Sequence, residues 1–468
     1  MKNKSVVSDR LRQEALNNEL FEQAKDYALD YMSNTMNSPV FPSQDAIDQL
    51  EAFHESLPDY GAEALEIIKK LHRDGAPATV AQTGGRYFGF VNGGIVPAAL
   101  ATKWLTDTWD QNAAMYVMSP VASVLEEICE QWLVDLLGLP DNSAAGFVSG
   151  SSLATLCGLA AGRNTLLQRL NYDVASRGLF GAPEIRVVLS EQAHSTVFKA
   201  LSLLGLGTER LIKVPADEEG RILIHSIPKL DERTLLILQA GNVSSGAFDD
   251  FTSICEMARK AGTWVHIDGA FGLWAAASEP LKHLTKGIEL ADSWSVDAHK
   301  TLNAPYDNGI VLCRHRKALG QALSMSASYL EYSQQRDGMK YTPDASQRAR
   351  AVDLWATLKS LGKQGVSELV EDLHQKALYF SRSLEQNGFI INNKVCFNQV
   401  LVSMEDENLT KKTLELVQNS GECWCGGATW KGKSVIRISV SSYRTDYKDI
   451  DRSVAAFVQA KEVAVNTP

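Results

Sequence analysis

Three short stretches carry residues whose types could act together. In the first, Asp292-Ser293-Trp294-Ser295-Val296-Asp297-Ala298-His299-Lys300, an apolar or small run leads into a His-Lys pair. A polar loop follows, and Gly309-Ile310-Val311-Leu312-Cys313 then reads as a strand, so Lys300 is expected between two strands. The second is Trp264-Val265-His266-Ile267-Asp268-Gly269-Ala270, an apolar run ending in a carboxylate. The third is Glu191-Gln192-Ala193-His194-Ser195. A lone His-Lys pair says little, because most lysines are simply solvated. A carboxylate leaving a buried strand, a flat histidine ring and a loop lysine together meet the needs of a pyridoxal phosphate site. The lysine holds the aldehyde as a Schiff base. The carboxylate keeps the pyridine nitrogen protonated, so that the ring can accept electrons.

Such residues need a rigid frame. Strands expected at 185–190, 211–214, 235–240 and 265–268 are continuously apolar and alternate with helices, the pattern of a doubly wound α/β domain. Ligands bind at the carboxyl ends of such strands, where Asp268 and His194 both fall. A further strand runs into Ser149-Gly150-Ser151-Ser152 and then a helix rich in Ala and Leu. A helix N-terminus offers free N–H groups and a positive dipole end to a phosphate, and Gly150 lets the backbone approach closely. Gly84-Gly85-Arg86-Tyr87-Phe88-Gly89-Phe90-Val91-Asn92-Gly93-Gly94 lacks the Lys-Ser/Thr ending of a nucleotide P-loop.

Ahead of this frame, Leu16, Leu20, Phe21, Ala24, Tyr27, Ala28, Leu29 and Met32 recur at helical spacing among charges. With helices expected at 43–53 and 61–72, punctuated by Pro39, Pro42, Pro58 and Pro77, residues 1–78 make a helical arm too thin for a core of its own. Residues 79–347 form the large domain. Residues 348–468 supply a linking helix and a small α+β domain. The chain's 468 residues and 45% hydrophobic content suffice for cores of this size. A formal charge of −10 argues against nonspecific nucleic-acid binding. Seven cysteines form no secretory or zinc-binding framework, no signal peptide follows Met1, and no run of about 18 apolar residues suggests a membrane span. The expectation is a soluble, cytoplasmic protein.

From about Tyr87 to Val454 the chain resembles the pyridoxal-phosphate-dependent amino acid decarboxylases of the aromatic amino acid/glutamate group. The resemblance is strongest at His299-Lys300, at the Asp268 strand and in the spacing to His194. It implies the aspartate aminotransferase-like fold (fold type I of the pyridoxal phosphate enzymes): a large mixed-sheet α/β domain, an N-terminal arm packed across a partner subunit, and a small C-terminal domain. A homodimer follows from the same resemblance. It implies that Gly150, Ser151 and Ser152 form the phosphate turn and that His194 stacks on the pyridine ring and touches the substrate carboxylate. His299 is then a phosphate donor or neighbour of the lysine. Asn242 and Ala270 join Asp268 and Lys300 around the cofactor. Tyr87, Phe88 and Phe90 would line the substrate pocket, with Met118 reaching it.

The reaction implied is α-decarboxylation of an L-amino acid to the primary amine and CO2. The aromatic pocket residues suit an aromatic or apolar substrate. Aromatic amino acid decarboxylases carry a mobile loop ending in a proton-donating tyrosine. Here the stretch after Tyr329-Leu330 is shorter, so Tyr341 is the nearest candidate acid and Tyr332 the next. Arg437 is either a structural ion-pair residue or a clamp for the substrate carboxylate, as in aminotransferases of this fold. An aminotransferase or a retro-aldol lyase stays open as the alternative, since the bond set perpendicular to the ring decides the reaction.

Overall fold

The computed structural model describes residues 7–325 and 334–466. The arm comprises α1 (Val7–Glu14), α2 (Asn18–Asn34), α3 (Gln44–Asp48) and α4 (Ala64–Lys70), none of which buries a residue. It is tied down between its helices. The Val40 N–H donates to the Gly421 carbonyl at 2.7 Å, and the buried Arg86 guanidinium donates to the Met36 and Ser38 carbonyls. Two helices follow, α5 (Pro97–Trp109) and α6 (Pro120–Leu136), the latter capped by the Ser119 hydroxyl.

The large sheet holds β1 (Ala144–Val148), β2 (Arg186–Ser190), β3 (Ile212–Val214), β4 (Thr234–Gln239), β5 (Trp264–Asp268), β6 (Ser293–Asp297) and β7 (Gly309–Cys313). Their spatial order is β1-β7-β6-β5-β4-β2-β3, and β7 runs antiparallel to both neighbours while the rest are parallel. Strands β4 to β7 are buried along their whole length, which is why apolar and small residues dominate them, with Asp268 and Asp297 at the ends of β5 and β6. One face is covered by α7 (Ser151–Arg169), α9 (Ser195–Leu203) and α11 (Arg316–Leu323), the short α8 (Val174–Arg177) lying after α7. The other is covered by α6, α10 (Phe251–Lys260) and the start of α12 (Arg350–Gln386).

Helix α12 breaks at Gly362, whose φ of 63° is left-handed. Its first segment packs on the large sheet. Leu373, Ala377 and Phe380 of its second belong to a separate core under a four-stranded antiparallel sheet. That sheet has the order β10-β11-β9-β8 and comprises β8 (Ile390–Ile391), β9 (Gln399–Ser403), β10 (Gly426–Trp430) and β11 (Lys433–Ser439). Helices α13 (Glu407–Asn419) and α14 (Tyr447–Asn466) cover it.

The aromatic loop joins this second core, which corrects one expectation. The Phe88 N–H donates to the Trp424 carbonyl and the Trp424 N–H to the Arg86 carbonyl, so the loop runs beside 423–425 in extended form. Side chains then alternate. Tyr87 stacks on the Trp424 ring at 5.2 Å, while Phe88 turns away into the small core, fully buried edge-on to Phe380. Phe88 is therefore a core residue and not part of a substrate pocket. Phe88→Ala is expected to cost about 3–5 kcal/mol of stability in urea unfolding; a loss under about 1 kcal/mol would contradict this placement.

Candidate active site

The carboxyl ends of β2, β4, β5 and β6 and the N-terminus of α7 surround a cavity of about 690 Å³. Its lining includes Phe90, Gly150, Ser151, Ser152, His194, Asp268, Ala270, Asp297, His299, Lys300 and Arg437. The structure thus brings together most of the residues picked from the sequence.

Asp268 ends β5 and accepts the Ala270 N–H at 3.2 Å. Burial pushes its carboxyl pKa up, opposed by His194 and Lys300. A cation or a proton-bearing ring nitrogen against this carboxylate would offset that burial. His194 caps α9, and the Thr196 N–H donates to its Nδ1 at 3.3 Å. The neutral ring therefore carries its proton on Nε2. Burial lowers the His194 pKa and so favours that neutral form. His299 is fixed in the same way. The Asn308 N–H donates to Nδ1 at 3.0 Å, leaving Nε2–H 3.6 Å from Asp297. Burial again lowers the pKa.

Lys300 sits just past β6, its Nζ 3.0 Å from Asp297 Oδ2. Glycines set the closeness of this turn. A Cβ on Gly93 would come 2.1 Å from the Lys300 carbonyl oxygen, and one on Gly309 2.3 Å from Gly150 Cα. At Gly150 itself a Cβ would meet nothing nearer than His299 at 3.5 Å.

Several groups have a role that the sequence did not disclose. Asp297 is buried and accepts both the N–H and the hydroxyl of Ser151, at 2.5 and 2.6 Å. Tyr306 lines the cavity, stacks on His299 at 4.2 Å and donates to Asn92 Oδ1. Lys199 lines the cavity as well. Beneath the site, His266 is bound by Ser293 at 2.9 Å and held neutral by burial, its pKa pushed down to about 3. It shares the face of β5 that carries Asp268, and a Cβ on Gly158 of α7 would come 2.7 Å from its ring. Strand alternation is the one signal that pairs His266 with Asp268.

Other expectations are corrected. Asn242 does not line the cavity; its Oδ1 accepts the Ser244 and Ser245 N–H groups and so builds the turn whose Gly241 and Val243 do. Met118 points outward, 48% exposed, beside exposed Val117, Val121 and Val124. Tyr87 is stacked on Trp424 and does not line the cavity, whereas Phe90, which also stacks on Trp424, does. Tyr341 lies outside the cavity, accepting from Arg316 Nη1 at 3.3 Å and packed against the Arg336 guanidinium. Arg336 pairs with buried Glu126 and Glu130, which fixes 336–341 against α6 and β1. Tyr329 and Tyr332 fall outside the described residues. Arg437 pairs with no carboxylate among the described residues and donates to the Val243 carbonyl at 3.1 Å, so the structural ion pair is absent there.

These residues fit pyridoxal phosphate. Lysine, a strand-end carboxylate and a flat neutral imidazole converge, with the α7 N-terminus and the His299 Nε2–H as anion donors. The Gln239 side-chain nitrogen, on a residue of the cavity wall, has no partner among the described residues. No cluster of metal ligands exists among them either, and no helix is long and apolar enough to cross a membrane.

Comparison with known proteins agrees. The chain is 25% identical over 470 residues to an aromatic-L-amino-acid decarboxylase of Bacillus atrophaeus, covering 95% of this chain and 96% of that one. It is 25% identical to a phenylacetaldehyde synthase of Petunia hybrida, covering 91% and 90%. Among solved structures, Oryza sativa TDC with PLP and tryptamine superposes with a TM-score of 0.87 at 20% identity, covering 96% and 98%. Catharanthus roseus tryptophan decarboxylase in complex with L-tryptophan gives 0.85 at 21%, covering 98% and 99%. Residues 48–404 match the pyridoxal-dependent decarboxylase conserved domain, and with three-quarters of its length inside that match the chain belongs to the pyridoxal-dependent decarboxylase family.

Proposed function

We propose that this pocket removes CO2 from an aromatic or apolar L-amino acid and leaves the primary amine. The observation that carries the reading is the convergence of Lys300, Asp268 and His194 from three separate strand ends on one cavity. When bound, pyridoxal phosphate supplies an electron sink for the pair left behind as CO2 departs. Lys300 is the residue that binds the cofactor aldehyde and later takes part in product release. Asp268 holds a proton on the ring nitrogen through a charge-assisted hydrogen bond. His194 would pack against the ring, with its Nε2–H available to the substrate carboxylate. Ser152 and His299 would face the phosphate at the head of α7, where Asp297 takes the Ser151 donors. Phe90 gives the substrate an apolar wall, in which loss of a charged carboxylate is favoured. The two named solved relatives hold tryptamine and L-tryptophan, which supports an aromatic side chain.

A second reading rests on Arg437. An arginine that lines the cavity without an internal carboxylate partner suits a reaction in which the substrate carboxylate is held and not lost, as in transamination or retro-aldol cleavage. A panel of L-amino acids, with products identified by mass spectrometry, separates the two. The amine with equimolar CO2 is expected from aromatic substrates. A keto acid, or glycine with an aldehyde, and no amine from any substrate would overturn the first reading. Asp268→Asn is expected to lower kcat by about 10²–10⁴-fold, and wild-type kcat in that variant would refute the role given to Asp268.

The assembly proposed is a homodimer whose sites lie where the large unit, 79–347, and the small unit, 348–468, meet the partner. Trp104, Leu105 and Trp109 on α5, with Val117, Met118, Val121 and Val124 at α6, form a run of exposed apolar side chains of the kind that marks an interface. The arm adds exposed Leu11, Leu16 and Phe21. Seven free cysteines suit the reducing cytoplasm. Trp109→Asp with Val121→Asp is expected to shift sedimentation from dimer to monomer and to abolish turnover; a fully active monomer would contradict the assembly.

A further inference from the structure

Asp297 is the buried charge that the reading above leaves without a task. Its backbone is fixed, since the Trp274 indole N–H donates to its carbonyl at 2.9 Å and its own N–H donates to the Ala270 carbonyl. Its carboxylate lies across the N-terminus of α7 and takes both Ser151 donors, one oxygen each. The same carboxylate stands 3.0 Å from Lys300 Nζ and 3.6 Å from His299 Nε2. Ser151, His299 and Lys300 are thus gathered by one internal anion. Each would otherwise be free to face a phosphate.

We propose that Asp297 is a positioning residue that holds the anion position at the head of α7 and so limits how tightly the pocket takes the cofactor's phosphate. The inference rests on the cofactor-binding reading given above. Two anions cannot share the Ser151 donors. A phosphate must either displace the Asp297 side chain from them or bind through Ser152 and His299 with a carboxylate alongside. Either course weakens the phosphate's hold, because like charges at this range disfavour each other strongly in a buried site. Removing the charge while keeping the shape should strengthen it. The return for this weakness is order: Asp297 keeps Ser151, His299 and Lys300 aligned by contacts that belong to the chain itself.

The test compares pyridoxine 5′-phosphate with pyridoxine, which differ by the phosphate and lack the aldehyde that Lys300 could capture. Calorimetric Kd values are measured for both on the full-length wild-type chain and on Asp297→Asn. The quantity read is the ratio of the two Kd values, the gain that the phosphate confers. It is expected to rise at least about tenfold in Asp297→Asn, a change equal to one pK unit of like-charge interaction. Asp297→Ser, neutral and smaller, is expected to raise it too, so the result does not hang on one variant folding. An unchanged or smaller ratio in the folded variants would overturn the proposal and leave Asp297 as a helix cap only. If the wild-type chain takes up pyridoxal phosphate and the ratio stays constant, this proposal alone fails. If the wild-type chain takes up no pyridoxal phosphate, the reading beneath it fails as well.

Discussion

Two carboxylates, Asp268 and Asp297, are buried at the ends of paired parallel strands. Burying an unpaired carboxylate is costly, and the surrounding architecture answers that cost with directed donors and cations. Asp297 is met by Ser151, Lys300 and His299. Asp268 is met by one backbone N–H and by the nearby charge of Lys300, with burial still pushing its pKa up. This leaves Asp268 as the group with the most to gain from a protonated ring nitrogen, which is the chemical demand that pyridoxal phosphate satisfies.

The packing around these two acids follows from the same constraint. Helix α7 must lie close enough to β6 for Ser151 to reach Asp297, and small residues permit it. Gly150 abuts Gly309, and Gly158 of α7 abuts the His266 ring. A buried hydrogen-bond chain continues beneath the site from His266 through Ser295 to Thr155 of α7, with contacts of 3.4 and 2.8 Å. Networks of this kind hold an element in one register when every member is satisfied. The site's precision thus comes from strand ends and a helix start, with the neutral tautomers of His194 and His299 set by backbone N–H groups.

Much of this was legible in the chain. Continuous apolar strands gave the doubly covered sheet, and strand ends located Asp268, His194 and Lys300. The turn at Gly150-Ser151-Ser152 was visible as a strand, a glycine and a helix start. What stayed hidden was orientation. Tyr87, Phe88 and Phe90 look alike in sequence, yet pairing with 423–425 sends Phe88 into a core and leaves Phe90 at the cavity. Asn242 was expected at the cofactor and instead builds a turn, while the role of Asp297 at the cavity went undisclosed, because a side chain's duty depends on which neighbours it faces. Tyr341 was chosen by position in the chain, whereas the Arg336 ion pairs decide where that segment lies. Side-chain direction after a loop depends on contacts distant in sequence, which composition and periodicity do not record.

Everything proposed for this pocket depends on Lys300 as the residue that binds the cofactor. Lys199 lines the same cavity and is the natural competitor. The most direct measurement is borohydride reduction of the cofactor-loaded protein, followed by proteolysis and peptide mass spectrometry. A pyridoxyl-phosphate mass increment is expected on the peptide containing Lys300, at near one per chain. An increment on Lys199 or another lysine, with the Lys300 peptide unmodified, would contradict it.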